Sequence, residues 1–148
     1  MSITIPSPIQ LVGLDLNRRT TNTNAQSSED CGALWQKFEQ EVASKIKGRL
    51  SDKVFAVYYD YDPNDPAAFR YFVGSEAPTE PNPELDHLMI PPGSYQKVVA
   101  KGKMPECMTT AWKEVWESKH SRQYTFDFEV YDSRSQDWSN AEVDIFIS

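Results

Sequence analysis

Apolar residues in the first half of the chain predict a strand, a helix and a hairpin, in that order. The segment 9–16 carries closely spaced apolar residues and favours a strand. Ser27 stands where a helix N-cap is expected, and apolar residues then recur at three- and four-residue intervals, which predicts a helix over residues 29–47. Two segments rich in aromatic and β-branched residues, 53–60 and 67–74, flank the turn sequence DPNDP and indicate an antiparallel hairpin.

The second half of the chain repeats this order. An extended segment over residues 85–101 is interrupted by two prolines and a glycine, which imply a bulge or an edge strand. Pro105 suits the first position of a second helix, whose apolar stripe is expected to end near His120. Residues 124–131 and 142–147 alternate between apolar and polar positions on either side of a turn-rich stretch, and they predict a second hairpin.

The two halves also agree in detail, which indicates an internal duplication. A Tyr-Asp pair precedes the turn of each hairpin, and Trp35 and Trp112 occupy similar places on the two helices. We therefore expect one α+β domain over residues 1–148, made of duplicated strand-helix-hairpin half-domains with pseudo-twofold symmetry. A curved antiparallel sheet and two main helices would form it, and the cleft between the halves is the expected pocket.

The charge balance argues against nucleic acid as a direct partner. Fifteen basic and 22 acidic residues give a formal net charge of −7, and no basic stripe or DNA-binding motif is present. The first residues lack the basic and apolar regions of an export signal, and no run of about 18 apolar residues follows. We expect a cytoplasmic protein that does not enter the membrane.

Neither a metal site nor a cofactor site is predicted. Cys31 and Cys107 stand near the starts of the predicted helices, without a second cysteine or histidine at metal-ligand spacing. His87 and His120 likewise lack a partner at helical spacing. The cysteines are expected to be reduced and buried, as free cysteines commonly are.

Enzyme motifs are missing, whereas aromatic residues are abundant. The chain has no nucleophile elbow, phosphate-binding glycine loop, histidine-centred triad or dinucleotide fingerprint, so no catalytic residue is predicted. It does contain seven Tyr, seven Phe and four Trp, placed on strands and helices that are expected to surround the cleft. Most of these rings must belong to the core.

The second hairpin places one acid where such rings could surround it. Glu129 lies on the face opposite to the apolar residues of 124–130, which are expected to pack against the helices. Alignment of the two halves matches Glu129 with Tyr59, whose face carries further rings. A buried carboxylate needs a cation or hydrogen-bond donors, so a flat aromatic cation would suit it. By periodicity alone, a glutamate such as Glu129 is more often a solvated surface residue than a ligand, and Trp112 is more often a core residue.

Several segments, taken in their order, resemble the GyrI-like effector-binding family, which also forms the drug-binding domain of multidrug-responsive transcription regulators. The segments are LVGLDLNRRT, LWQKF, VYYDYD with YFVG, IPPGSY, AWKEVW, FEVYD and VDIFIS, and they cover nearly the whole chain. The resemblance implies a pocket with Glu129 as its central acid and Tyr59 and Trp112 as ring partners, joined by Trp35 and Tyr131. Because it begins almost directly at the first strand, the chain looks similar to standalone modules, including those carried on integron cassettes.

Three functions fit this picture, and the first is favoured. It is a binding module for hydrophobic or aromatic cations, which acts in transcription regulation or drug sequestration through a partner regulator protein. The second is a small hydrolase of reactive electrophiles, because some GyrI-like proteins that resemble this chain hydrolyse reactive small molecules with a similarly placed glutamate. Glu129 would then position or deprotonate water. The third is an interaction protein that inhibits another macromolecule through its acidic surface.

Overall fold

The computed structural model describes residues 2–23, 26–65, 67–78, 81–117, 123 and 125–148. The described helices are α1 (Gln26–Lys37) and α2 (Glu106–Glu117), and α1 continues through a π-helical turn (Phe38–Val42) into a 3₁₀ turn (Ala43–Lys45). The strands are β1 (Ser2–Ile5), β2 (Ile9–Asp15), β3 (Thr20–Thr21), β4 (Val54–Tyr59), β5 (Ala68–Glu76), β6 (Asp86–Ile90), β7 (Gly93–Gly102), β8 (Phe126–Tyr131) and β9 (Ala141–Ile147).

The order of the strands in the sheet shows the duplication. The strands pair antiparallel in the order β1-β7-β9-β8-β4-β5-β2-β6, and β3 adds to β5. The unit β2-α1-β4-β5 of the first half corresponds to β7-α2-β8-β9 of the second. The order of the six central strands is therefore symmetric. β7-β9-β8 on one side corresponds to β2-β5-β4 on the other, and β8 pairs with β4 in the middle. The predicted α+β fold with two pseudo-twofold halves is confirmed.

The outer strands force the sheet to curl. β1 runs into β2 through residues 6–8, yet it pairs with β7 at the other end of the sheet. In the same way β6 runs into β7 through residues 91–92 but pairs with β2. Because an extended residue spans at most about 3.6 Å, the first connection holds the two ends of the sheet within about 14 Å of each other.

The inside of the curl is filled by side chains of the strands. Leu11, Phe55, Val57, Phe72 and Phe128 form its centre, and each is at most 5% exposed. No described helix residue belongs to this cluster, so the strands contact one another across the curl.

Both helices cover the other face of the sheet. The helical segment after α1 contributes Phe38, and α2 contributes Trp112 and Val115, to two clusters that pack on this face. The apolar residues of β8 were expected to pack against the helices, and that prediction is wrong. The curled sheet supplies the partner for them, so the helices are left to cover the face that carries Glu129.

The boundaries of the elements differ from the sequence pattern at several places. α1 begins at Gln26, so Ser27 lies inside the first turn rather than before it. α2 begins at Glu106, while His120 and Tyr124, which were placed at the end of the helix and the start of the hairpin, lie outside the described residues. The prolines at 91 and 92 separate β7 from β6, which is an edge strand. No helix in the described ranges has the length and apolar character needed to cross a membrane.

Candidate ligand-binding site

Glu129 lies buried in β8, on the face that both helices cover. The residue is 2% exposed, and its carboxylate accepts three hydrogen bonds. The Trp112 indole Nε1–H donates to Oε2 at 2.5 Å, and the Tyr58 hydroxyl donates to the same oxygen at 2.9 Å. The Tyr131 hydroxyl donates to Oε1 at 2.7 Å. Since a carboxylate offers about four acceptor positions, one position on Oε1 remains for a ligand.

Three different elements bring these donors to one point. The register of β4 on β8 pairs Ala56 with Glu129, so Tyr58, two residues further along β4, shares the face of Glu129. Tyr131 lies two residues after Glu129 on the same strand and therefore on the same face. Trp112 lies in the buried stripe of α2, which points at the sheet. All three donors are neutral, so the charge of Glu129 has hydrogen bonds but no counter-ion among them.

Further rings hold Tyr58 in place. Its ring centroid lies 5.2 Å from that of Trp112 and 5.2 Å from that of Phe69, with the planes at 69° in both pairs. The centroid of Tyr71 lies 5.1 Å away. Aromatic pairs in this edge-to-face arrangement contribute about 0.5–1.5 kcal/mol each beyond the area that they bury. The hydroxyl of Tyr58 is thereby fixed toward Glu129.

A cavity of about 410 Å³ opens in front of this carboxylate. Its volume lies within the range of about 300–1,000 Å³ that is typical of sites for drug-sized ligands. The strands provide the floor, α1 one wall, and α2 with the turn before it the other. The lining residues are Asn22, Ser27, Ser28, Cys31, Tyr58, Tyr61, Phe69, Tyr71, Met104, Pro105, Met108, Thr109, Trp112, Trp116, Glu129 and Tyr131.

Burial and charge set the protonation states in the cavity. Burial raises the pKa of Glu129 above its ordinary value, and the hydrogen bonds from Tyr131, Trp112 and Tyr58 oppose that rise. Burial, reinforced by the charge of Glu129, raises the pKa of both Tyr58 and Tyr131 well above the ordinary tyrosine value. These hydroxyls therefore stay protonated and donate to the carboxylate.

The cavity lining carries no positive group within the part of the chain that the structure describes. Glu129 is its one carboxylate, and no lysine, arginine or histidine lines it there. Burial, followed by the negative charge of Glu129, raises the pKa of the Cys31 thiol to about 12, so this residue is neutral and poorly nucleophilic. A ligand therefore meets one carboxyl group surrounded by neutral rings and thioethers.

The structure brings three of the predicted site residues together and places a fourth behind them. Glu129, Trp112 and Tyr131 all line the cavity. Trp35 supports its wall: the indole Nε1–H donates to the Tyr71 hydroxyl at 2.6 Å, and the ring meets Tyr131 edge to face at a centroid distance of 4.9 Å. Their roles in binding a ligand stay predictions.

Tyr59, the remaining predicted residue, does not face Glu129, and that placement is wrong. Its ring points into the curl, where it stacks on Phe126 at a centroid distance of 5.6 Å. Its hydroxyl donates to Asp15, and the guanidinium of Arg70 lies 5.2 Å from its ring centroid. Tyr59 therefore belongs to the packing of the opposite face.

The physical reason for this error is the backbone of Asp60. This residue has a φ of 50°, in the left-handed region, and it interrupts the strand between Tyr59 and Tyr61. Tyr61 consequently reaches the cavity side, where its hydroxyl donates to Asp127 at 2.5 Å. Alignment of the halves by their Tyr-Asp pairs is therefore one residue out of register, and a shift of one residue exchanges the faces of a strand.

Tyr58, Tyr71 and Cys31 also line the cavity, although the sequence did not predict them as site residues; Tyr61, expected among the rings on the face of Tyr59, lines it as well. Tyr71 follows from alternation in β5 once the helix-covered face is known, and Tyr58 follows from the register of β4 on β8. That register comes from long-range pairing, which a single sequence does not display. The described residues include no group of three or more histidine, cysteine, aspartate or glutamate side chains that could hold a metal ion.

Two solved structures share this fold at low sequence identity. The protein SAV2435, bound to tetraphenylphosphonium, matches 99% of this chain and 91% of its own length, with a TM-score of 0.76 and 14% identity. A candidate transcription regulation protein from Staphylococcus aureus MU50 matches 99% of this chain and 95% of its own, with a TM-score of 0.75 and 12% identity. At these identities the likeness shows the fold alone.

Other relatives are closer in sequence. An integron cassette protein from the mobile metagenome of Vibrio cholerae is 28% identical, with a TM-score of 0.73 over 100% of this chain and 95% of its own. The candidate transcriptional regulator YobU of Bacillus subtilis (strain 168) is 27% identical over 142 residues, which are 90% of this chain and 88% of the relative. Residues 6–148 match the family model of integron-associated effector binding proteins. The resemblance inferred from the sequence is thus confirmed, and the chain belongs to the Cass2 family of integron-associated effector binding proteins.

Proposed function

We propose that this protein binds hydrophobic, aromatic cations in the cavity at Glu129. The observation that carries the proposal is a carboxylate only 2% exposed, held by three neutral donors in a ring-lined cavity of about 410 Å³. A buried charge that lacks a counter-ion is unfavourable, and a cation that enters the cavity relieves that cost.

The same arrangement favours ligands whose positive charge is spread over an apolar body. A strongly hydrated cation would lose its water on entering, whereas a delocalised or shielded cation loses little. The faces of Tyr58, Trp112 and Tyr131 can then add about 2 kcal/mol for each desolvated cation–π contact. Tetraphenylphosphonium, the ligand of the structurally similar SAV2435, has this chemistry, which supports the proposal.

We further propose that the protein is one cytoplasmic effector-binding domain that acts through a partner regulator protein or by sequestering the compound. The similarity to YobU, a candidate transcriptional regulator, supports a regulatory role. A formal net charge of −7 speaks against direct contact with nucleic acid.

Titration with two ions of opposite charge and the same shape tests the proposal. Tetraphenylphosphonium and tetraphenylborate both present four phenyl rings, so they differ chiefly in the sign of the charge. We expect quenching of tryptophan fluorescence by the phosphonium, because Trp112 lines the cavity, and binding of the borate at least about 100-fold weaker. Equal binding of both ions, or no binding of the phosphonium, would remove the basis of the proposal.

A further inference from the structure

A second cavity borders the one at Glu129. Its volume is about 640 Å³, and Tyr131 and Met104 line both cavities. One wall is formed by α1, with Gly32 and Trp35, and by the π-helical turn that follows it, with Glu39. The other wall is the turn between β8 and β9, which includes Trp138. The proposed function of the first cavity makes no use of this space.

Gly32 has no conformational or packing reason to be a glycine. It lies inside α1, its φ is not in the left-handed region, and a Cβ added there would meet nothing within 4 Å. Glycine inside a helix lowers stability by about 1 kcal/mol relative to alanine. What its missing side chain does provide is open space in the second cavity, on the same side of the helix as Trp35 and Glu39.

Trp138 presents an exposed ring on an ordered turn. The residue is 61% exposed, yet its carbonyl oxygen accepts a hydrogen bond from the Met104 N–H at 2.7 Å. The next residue, Ser139, donates from its N–H and its hydroxyl to Asp137 at 3.0 and 2.6 Å. These bonds hold the backbone of the turn, and the largely exposed indole of Trp138 lies at the edge of the cavity, where a flat ligand can reach it.

The charges around the second cavity favour a cation. Its described lining contains the carboxylates of Glu39, Asp52 and Asp132 and no lysine or arginine. Arg134 pairs with Asp132 at 3.0 Å, and Lys53 also acts on that carboxylate, so the two basic residues offset part of the negative charge. With the carboxylates of Glu39 and Asp52, the net charge around the second cavity stays negative.

We propose that this second cavity is a separate binding site for flat aromatic cations, which bind between α1 and the turn of Trp138. The ligand stacks on the exposed face of Trp138 and contacts Trp35, while the carboxylates at the rim provide attraction that is screened by salt. The ring plane fits the cleft because Gly32 leaves the helix wall without a side chain.

Binding of proflavine, a flat three-ring dye that is a monocation at neutral pH, tests this site. Gly32→Gln fills the cavity without a backbone clash and is expected to weaken dye binding at this site at least about tenfold. Ala33→Gln adds the same side chain one residue along, at an exposed position that lines neither cavity, and serves as the matched control. Trp138→Ala is expected to abolish the part of the fluorescence quenching that comes from this ring.

Glu129→Gln separates this proposal from the function proposed above. If both are right, it removes the tighter binding of the first site and leaves a site that is sensitive to Gly32→Gln. If only the second cavity binds the dye, the wild type takes up one proflavine molecule per chain. This binding is unchanged in Glu129→Gln and lost in Gly32→Gln. Unchanged affinity and stoichiometry in both Gly32→Gln and Trp138→Ala would overturn the second site, as would binding of anthracene-9-carboxylate as tight as that of proflavine.

Discussion

Glu129→Gln isolates the charge of the first cavity from its shape. The carbonyl oxygen of glutamine can replace Oε2 and accept the hydrogen bonds from Trp112 and Tyr58. Its NH₂ group can donate to the hydroxyl oxygen of Tyr131, which at present donates to Oε1. The substitution therefore removes one negative charge and keeps the volume and the surrounding rings.

The expected loss of affinity follows from the distance of closest approach. The phenyl rings of tetraphenylphosphonium keep its central charge about 5 Å from the carboxylate, and two unit charges at that distance attract by about 3 kcal/mol at an effective dielectric constant of about 20. The open mouth of the cavity lets in water and reduces this to about 2–3 kcal/mol. We therefore expect Glu129→Gln to weaken tetraphenylphosphonium binding about 30- to 150-fold.

Isothermal titration of both proteins measures this difference, and thermal unfolding without ligand provides the control. Burial raises the pKa of Glu129 in the folded state. The stabilising contribution of Glu129 is therefore complete below its unfolded-state pKa and is lost as the pH rises through its folded-state pKa. Glu129→Gln is thus expected to raise the unfolding midpoint at neutral pH and to lose this advantage in acid. A well-folded variant that binds the phosphonium as tightly as the wild type would refute the reasoning.

Further expectations concern Glu129 and its hydrogen-bond donors, with Tyr59 on the opposite face as the contrast. Because burial raises the pKa of Glu129, affinity for tetraphenylphosphonium should fall as the pH decreases through that raised value. Titration with the ligand at each pH between about 4.5 and 8 measures this dependence, and Glu129→Gln should not show it. Trp112→Phe keeps a ring but removes a donor to the charged carboxylate, so the midpoint of that pH dependence should move up by about one unit, and an unmoved midpoint would contradict the hydrogen bond. Tyr59→Phe should lower the free energy of unfolding by about 1–3 kcal/mol through the lost bond to Asp15, measured in denaturant, and should leave phosphonium affinity within about twofold. Tyr58→Phe, which removes a donor to Glu129, should instead change the affinity for the phosphonium. A change of affinity in Tyr59→Phe but not in Tyr58→Phe would show that Tyr59 belongs to the site.

The duplication and the separation of the two faces of β8 could be predicted because they depend on local patterns. Alternation along β8 correctly separates Glu129 and Tyr131 from Phe128 and Val130. Helical spacing places Trp112 on the stripe of α2 that meets the sheet. Both predictions need only the geometry of a single element.

The covered face and the partner of Glu129 could not be predicted, because both depend on long-range pairing. The sheet curls since β1 pairs with β7 and β6 with β2, and this curl buries the apolar face of β8 without any helix. Whether Tyr58 or Tyr59 faces Glu129 depends on the register of β4 against β8 and on the left-handed backbone of Asp60. Neither leaves a periodic signal in the sequence.

A crystal structure of the protein with tetraphenylphosphonium tests the central claim most directly. The account predicts the phosphorus atom within about 6 Å of the Glu129 carboxylate, with phenyl rings against Tyr58 and Trp112. Phosphonium bound elsewhere on the chain, with the cavity at Glu129 filled only by water, would contradict it.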